Sequence, residues 1–134
     1  MLKMVYVNFS NKKHISISSE IDLQKCIVNY IRDHHPNLLF SCTHTENMLS
    51  SPQDRYEATC LGYTNGLPDL YIFSKRGRYT GMAIELKNMW GTGELSKEQK
   101  EILDKLENED NYCIVSNDLI DIISKIIKYD NCLL

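Results

Sequence analysis

Three observations predict a mixed α/β domain, a central sheet with helices packed against it. Two stretches, Ile21 to His34 and Asp118 to Tyr129, carry apolar residues at helical spacing. Short apolar runs bounded by turn residues, NLLFSC, LYIF, YTGMAIEL and YCIVS, read as strands. Their order along the chain is helix, strand, strand, strand, helix, strand, helix, the alternation expected of a sheet covered by helices.

Each element has its own justification. Residues 3–9 alternate enough for a short strand, and 13–17 pair with it as a possible N-terminal strand pair. Over 21–34 the apolar positions are Ile21, Leu23, Ile27, Val28, Tyr30 and Ile31. Ser18 and Ser19 offer N-caps, Glu20 and Asp22 suit the positive end of the helix dipole, and Pro36 stops the helix. A strand over 37–42 leads into a polar loop from Thr43 to about Arg55, followed by a short helical turn over 56–62. Leu70 to Phe73 and Tyr79 to Leu86 form a hairpin across SKRGR, where Gly77 supplies the turn's freedom. A glycine-punctuated loop, MWGTGEL, precedes a helix opening at Ser96, with Gln99 placed as its capping-box partner. YCIVS is a short buried strand, and the last helix is capped by Asn117 or Asp118.

Size and composition bound the function. At 134 residues, 43% apolar and 25% charged, the chain reads as one globular domain over 1–134. It shows neither a signal-peptide layout nor an apolar run of the roughly 20 residues that span a bilayer, so an intracellular, soluble protein is expected. Five scattered cysteines without a CxxC pair argue against a disulfide framework or zinc knuckle and for buried reduced thiols. A net charge of −3 argues against nucleic-acid binding by bulk electrostatics. Local basic clusters remain: Lys75, Arg76 and Arg78 at one turn, and Lys97, Lys100 and Lys105 along a helix.

The chemistry concentrates in GLPDLYIFSKRGRYTGMAIELKN, Gly66 to Asn88. Strand alternation sets Met82, Ile84 and Leu86 on the core face and Glu85 and Lys87 on the other. Counting outward from the KRGR turn brings Asp69 near Glu85 or Lys87. Two acids and a lysine at a sheet edge suit phosphodiester hydrolysis. Hard oxygen ligands such as Asp69 and Glu85 hold Mg2+ or Mn2+, the Leu86 carbonyl lies between, and the Lys87 ammonium meets the nucleophile or the developing charge. Each element has a plainer alternative. A Glu-x-Lys pair is commonly a solvated weak ion pair, and Pro-Asp is a general turn signal.

The conjunction is far more specific than its parts. GLPDLYIF, YTGMAIELKN and GELSKEQKEIL together resemble the PD-(D/E)xK nuclease superfamily, and within it the VRR-NUC (virus-type replication-repair nuclease) family. The resemblance covers residues 20–129 and is strongest from Gly66 to Leu106. It implies a restriction-endonuclease-like fold and metal-dependent cleavage of DNA. Asp69, Glu85 and the Leu86 carbonyl become metal ligands, Lys87 the catalytic lysine, Gln99 a helix glutamine facing the site, and Glu20 a further site acid. Gln99 also has its capping role, and Glu20 its dipole role, as alternatives. His44 is assigned no role, Trp90 is packing or a base-stacking ring, and Lys75, Arg76, Arg78 and Lys97 are the candidate DNA contacts. The implied partners are branched DNA and a second copy of the chain, as in a homodimeric four-way (Holliday) junction resolvase of viral or phage replication or repair. The dimer contacts expected are Lys3 to Phe9 and the final helix with its apolar tail Cys132 to Leu134. A flap, nicking or sequence-specific endonuclease, or a non-catalytic nucleic-acid-binding module of the same fold, is the alternative.

Overall fold

The computed structural model describes residues 17–88 and 94–134. Helix α1, Glu20–His34, leads into strand β1, Phe40–Cys42. A 3-10 turn, Glu46–Leu49, and helix α2, Pro52–Cys60, come next. Strands β2, Leu70–Ile72, and β3, Gly81–Leu86, precede helix α3, Lys97–Asn108. Strand β4, Asn111–Ser116, and helix α4, Leu119–Asp130, complete the fold. The sheet order is β1-β2-β3-β4, with β1 and β3 antiparallel to β2 and β4 parallel to β3. A parallel pair needs a crossover, and α3 supplies it.

Hydrophobic periodicity explains the layering. Leu23, Cys26, Ile27, Tyr30 and Ile31 form one stripe of α1, and Leu119, Ile122, Ile126 and Tyr129 one stripe of α4. Both stripes join Leu70, Ile72, Met82, Ile84, Leu86 and Ile114 of the sheet in a single core. The other face of β3 carries Ala83 and Glu85. It lies toward α3, whose Leu103 carbonyl is 3.8 Å from Sγ of Cys113, the β4 partner of Ala83. All six residues of β3 are therefore buried.

Several boundaries differ from those the sequence predicts. The strand expected over 37–42 shrinks to Phe40–Cys42, because the Leu38 amide donates to the His35 carbonyl and turns the chain after α1. The polar loop and helical turn are instead the 3-10 turn and α2, which starts at Pro52 under an N-cap from Ser51. Periodicity missed α2 because it has no apolar stripe; only Ala58 is buried. The hairpin strands are shorter than expected, and Tyr79 pairs back with Arg76 across the turn. All five cysteines are free, but only Cys26 is buried. The strand pair expected over 3–9 and 13–17 lies outside the described residues apart from Ile17, which is buried in the core. Among the described residues no helix is long and apolar enough to cross a membrane.

Candidate active site

Strand register builds the site. Leu70 faces Ile84 in the antiparallel pair, so one step outward sets Asp69 beside Glu85. The Leu86 amide donates to Oδ2 of Asp69 at 2.7 Å, tying that side chain to the end of β3. Leu86 itself is 1% exposed and anchors the strand end in the core. Glu85, on the opposite face, is buried under α3, and Nζ of Lys87 lies 3.7 Å from its Oε1. The three motif residues thus converge at the C-terminal end of the parallel pair.

Gln99 performs both roles that the sequence leaves open. Its Oε1 accepts the Ser96 amide at 2.9 Å, while the Ser96 hydroxyl accepts the Gln99 amide at 3.1 Å. With the carbonyl end of the side chain fixed there, the NH2 end must point away, and it donates to Oε1 of Glu85 at 2.8 Å. Lys87 donates to Oε1 of Gln99 at 3.4 Å. The capping box therefore orients the amide that orients Glu85. Gly66 brings the PD loop close enough to matter. Its φ is +91°, and a Cβ there would sit 2.8 Å from the Glu98 carbonyl carbon, so only glycine lets this loop press against the first turn of α3.

The electrostatics are those of crowded acids. Burial pushes Glu85 up to about 8, the charge of Asp69 adds to this, and Lys87 opposes it. Burial likewise raises Asp69, against the Leu86 amide, His44 and Lys87. A buried and a half-buried carboxylate with one ammonium beside them have the donor chemistry of a hard divalent cation site. Among the described residues no three His, Cys, Asp or Glu side chains converge on one metal-sized point. The protein thus offers two carboxylates, and other ligands would be backbone carbonyl, water or phosphate.

Glu20 stands apart from that pair. It is exposed on the first turn of α1, lines the same cleft as Asp69, and acts on Glu85 only through its charge. Lys75, Arg76 and Arg78 are not brought to the site; they lie on the turn between β2 and β3, at the far end of both strands. There Arg76 is held by Asp130 at 2.9 Å, and Asp130 also takes Nδ1 of buried His35 at 2.6 Å. Arg78 lies over its neighbour Tyr79, 4.7 Å from the ring centre. Lys97, exposed on α3, pairs with Glu101 at 3.9 Å. Trp90 lies outside the described residues.

Two site neighbours escaped the sequence. His44 lines the cleft with Asp69, its ring 5.8 Å from that of Tyr63. The Thr43 hydroxyl spends its proton on the Pro68 carbonyl at 2.7 Å, so toward Nδ1 of His44, 3.0 Å away, it accepts. In the neutral ring Nε2 then keeps the lone pair. Tyr63 is raised by burial and by the charges of Asp69 and Glu85. No motif spacing marks either residue; the fold of 43–67 delivers them.

The four-stranded mixed sheet with flanking helices is that of the restriction-endonuclease-like fold, and a structural neighbour supports a nuclease domain. A solved structure described as a "VRR_NUC domain protein" superposes with a TM-score of 0.65 at 25% identity, covering 85% of this chain and 88% of that one. Motif and fold together support membership of the VRR-NUC family. No family model matches the chain. No curated protein sequence matches it either.

Proposed function

We propose that the chain is a divalent-metal-dependent DNA endonuclease acting on branched structures. The observation that supports it most is the pairing of half-buried Asp69 with buried Glu85, and a single ammonium, Lys87, held to Glu85 directly and through Gln99. Asp69 and Glu85 would hold Mg2+ or Mn2+, with the Leu86 carbonyl as a third protein oxygen and Glu20 further out. When bound, such an ion lowers the pKa of a water and offsets charge on the phosphate. Lys87 orients or deprotonates the attacking water, or steadies the charge that builds on the phosphoryl oxygens. Gln99 holds both Glu85 and Lys87 in place for that step.

In finer form, we propose a homodimer that resolves four-way junctions. One site makes one incision, whereas separating a junction needs two cuts related by two-fold symmetry, which an isologous interface provides. Exposed Ile120 and Ile127 of α4, with Leu133 and Leu134 beyond it, offer apolar surface for the contact. The other expected contact, over 3–9, lies outside the described residues.

A cleavage panel of single-stranded, duplex, flap, splayed and four-way DNA, with Mg2+, Mn2+ or EDTA, tests this. Asp69→Ala, Glu85→Ala and Lys87→Ala should each cost at least about 100-fold in rate with the fold intact. Near-wild-type turnover in any of them would remove that residue from the mechanism. If neither metal supports cutting of any substrate, a non-catalytic nucleic-acid-binding module is the better account. A monomer in light scattering that cuts flaps and spares four-way junctions would overturn the resolvase form alone.

A further inference from the structure

We infer that the cleft between α1 and residues 42–47 is a track for the single DNA strand that leaves its duplex at a branch point. This rests on the assignment of Asp69 and Glu85 to DNA cleavage. The cleft, about 720 Å3, opens onto Asp69 and runs beside α1 past Glu20, Gln24, Lys25, Asn29 and Arg32. Those positions lie on one side of the helix, away from its core stripe of Leu23, Cys26, Ile27, Tyr30 and Ile31. From Glu20 to Arg32 the stripe runs about 18 Å at 1.5 Å per residue. A space of this size matches pockets of roughly 300–1,000 Å3 that take small ligands. A duplex, whose major groove alone is about 12 Å wide, is large beside it.

The lining has the chemistry of a phosphodiester strand. Lys25 and Arg32 are exposed and enter none of the ion pairs formed among the described residues. The guanidinium of Arg32 lies 5.9 Å from the centre of the Phe40 ring, which holds it over the sheet rather than free in solvent. Gln24 and Asn29 add neutral donors between the two cations. The acids Glu20 and Asp69 sit at the end where a divalent ion would offset them. Glu46 stands on the opposing wall, so the phosphates follow the α1 side.

The opposing wall points the same way. It is made by Cys42 and His44 to Asn47, and the 3-10 turn that begins there has no buried residue. The core does not require this segment, yet hydrogen bonds hold it in place: the Thr43 amide and hydroxyl donate to the Asp69 and Pro68 carbonyls. A segment ordered without core burial, walling a cleft that opens onto Asp69, is suited to confining a strand.

Fluorescence anisotropy separates this from general attraction to DNA. Fluorescein-labelled oligothymidylate and a duplex of equal length would be titrated with wild type and with Lys25→Glu/Arg32→Glu, in Ca2+ to suppress cutting. We expect the double variant to bind the single strand at least tenfold more weakly, with duplex affinity changed less than twofold. Loss of two phosphate contacts also lowers the slope of log K against log salt by about 1.4. The charge-keeping variant Lys25→Arg/Arg32→Lys should bind as wild type does. Unchanged single-strand affinity, or an equal loss on duplex, would overturn the track. Absence of any cleavage in the panel above would instead sink the nuclease assignment, and this binding measurement would still read.

Discussion

Strand β3 and the segment 43–67 flank the same site and are held there by opposite means. Every residue of Gly81–Leu86 is buried, and the strand pairs on both sides with β2 and β4. The 43–67 segment buries almost nothing and relies on local caps: Ser51 accepts the Asp54 amide at 3.0 Å, Ser50 donates to Asp54 at 2.7 Å, and Arg55 donates to the Leu49 carbonyl at 3.1 Å. The contrast assigns different work to each. The carboxylates, whose relative position must be held closely, sit where the buried strands β2 and β3 meet. Groups that meet a flexible substrate, such as His44 and Tyr63, sit on the element that core packing constrains least.

The strongest way to break this contrast is to charge the buried strand. Leu86→Asp places an unpaired carboxylate in the core beneath the site and should cost more than about 4 kcal/mol, most of a typical domain's stability. Circular dichroism should show an unfolded or molten chain, and a cooperative native-like melt would contradict the assignment of Leu86 to the core.

Glu85 probes the same strand from its polar face. Its folded pKa, about 8, lies above the ordinary 4.5. Between those values the folded protein keeps a proton that the unfolded chain releases, so this residue's contribution to stability falls as pH rises and is fully unfavourable above about 8. Without added metal, Glu85→Gln should therefore match wild type near pH 4.5 and become increasingly more stable toward pH 8.5 in urea titrations. A stability gain that shrinks with rising pH would mean that Glu85 is held ionised by its partners instead.

The smallest effect belongs to the locally held segment. Ser51→Ala removes the α2 cap and should cost about 1 kcal/mol of local stability. Hydrogen exchange should show faster exchange confined to the α2 amides, while the global melt shifts little, because α2 supplies only Ala58 to the interior. Loss of cooperative folding in this variant would show that the segment carries more of the fold than its burial implies.

How much of this was legible beforehand differs by element. The α1 and α4 stripes, the alternation of Met82, Ile84 and Leu86 against Glu85, and the Ser96–Gln99 capping box are local periodicities and spacings, and the chain order states them directly. The sheet-edge meeting of Asp69 with Glu85 was also within reach, since a hairpin converts sequence distance from its turn into register. α2 was not, because a helix without an apolar stripe leaves no period to detect. The fate of Arg76 was not either: three adjacent cations look alike in sequence until Asp130, 54 residues away, takes one of them.

The sequence by itself therefore determined the α/β class, the core stripes and the three motif residues, because each depends on neighbours within a few positions. Only the tertiary structure decided that the Gln99 amide caps its helix and grips Glu85 at once, that His44 and Tyr63 stand beside the carboxylates, and that Lys25 and Arg32 line the approach to them. Those relations join different elements of the chain. Their contacts are set by how α1, α3 and the 43–67 segment close around the sheet, and no spacing along the chain encodes that closure.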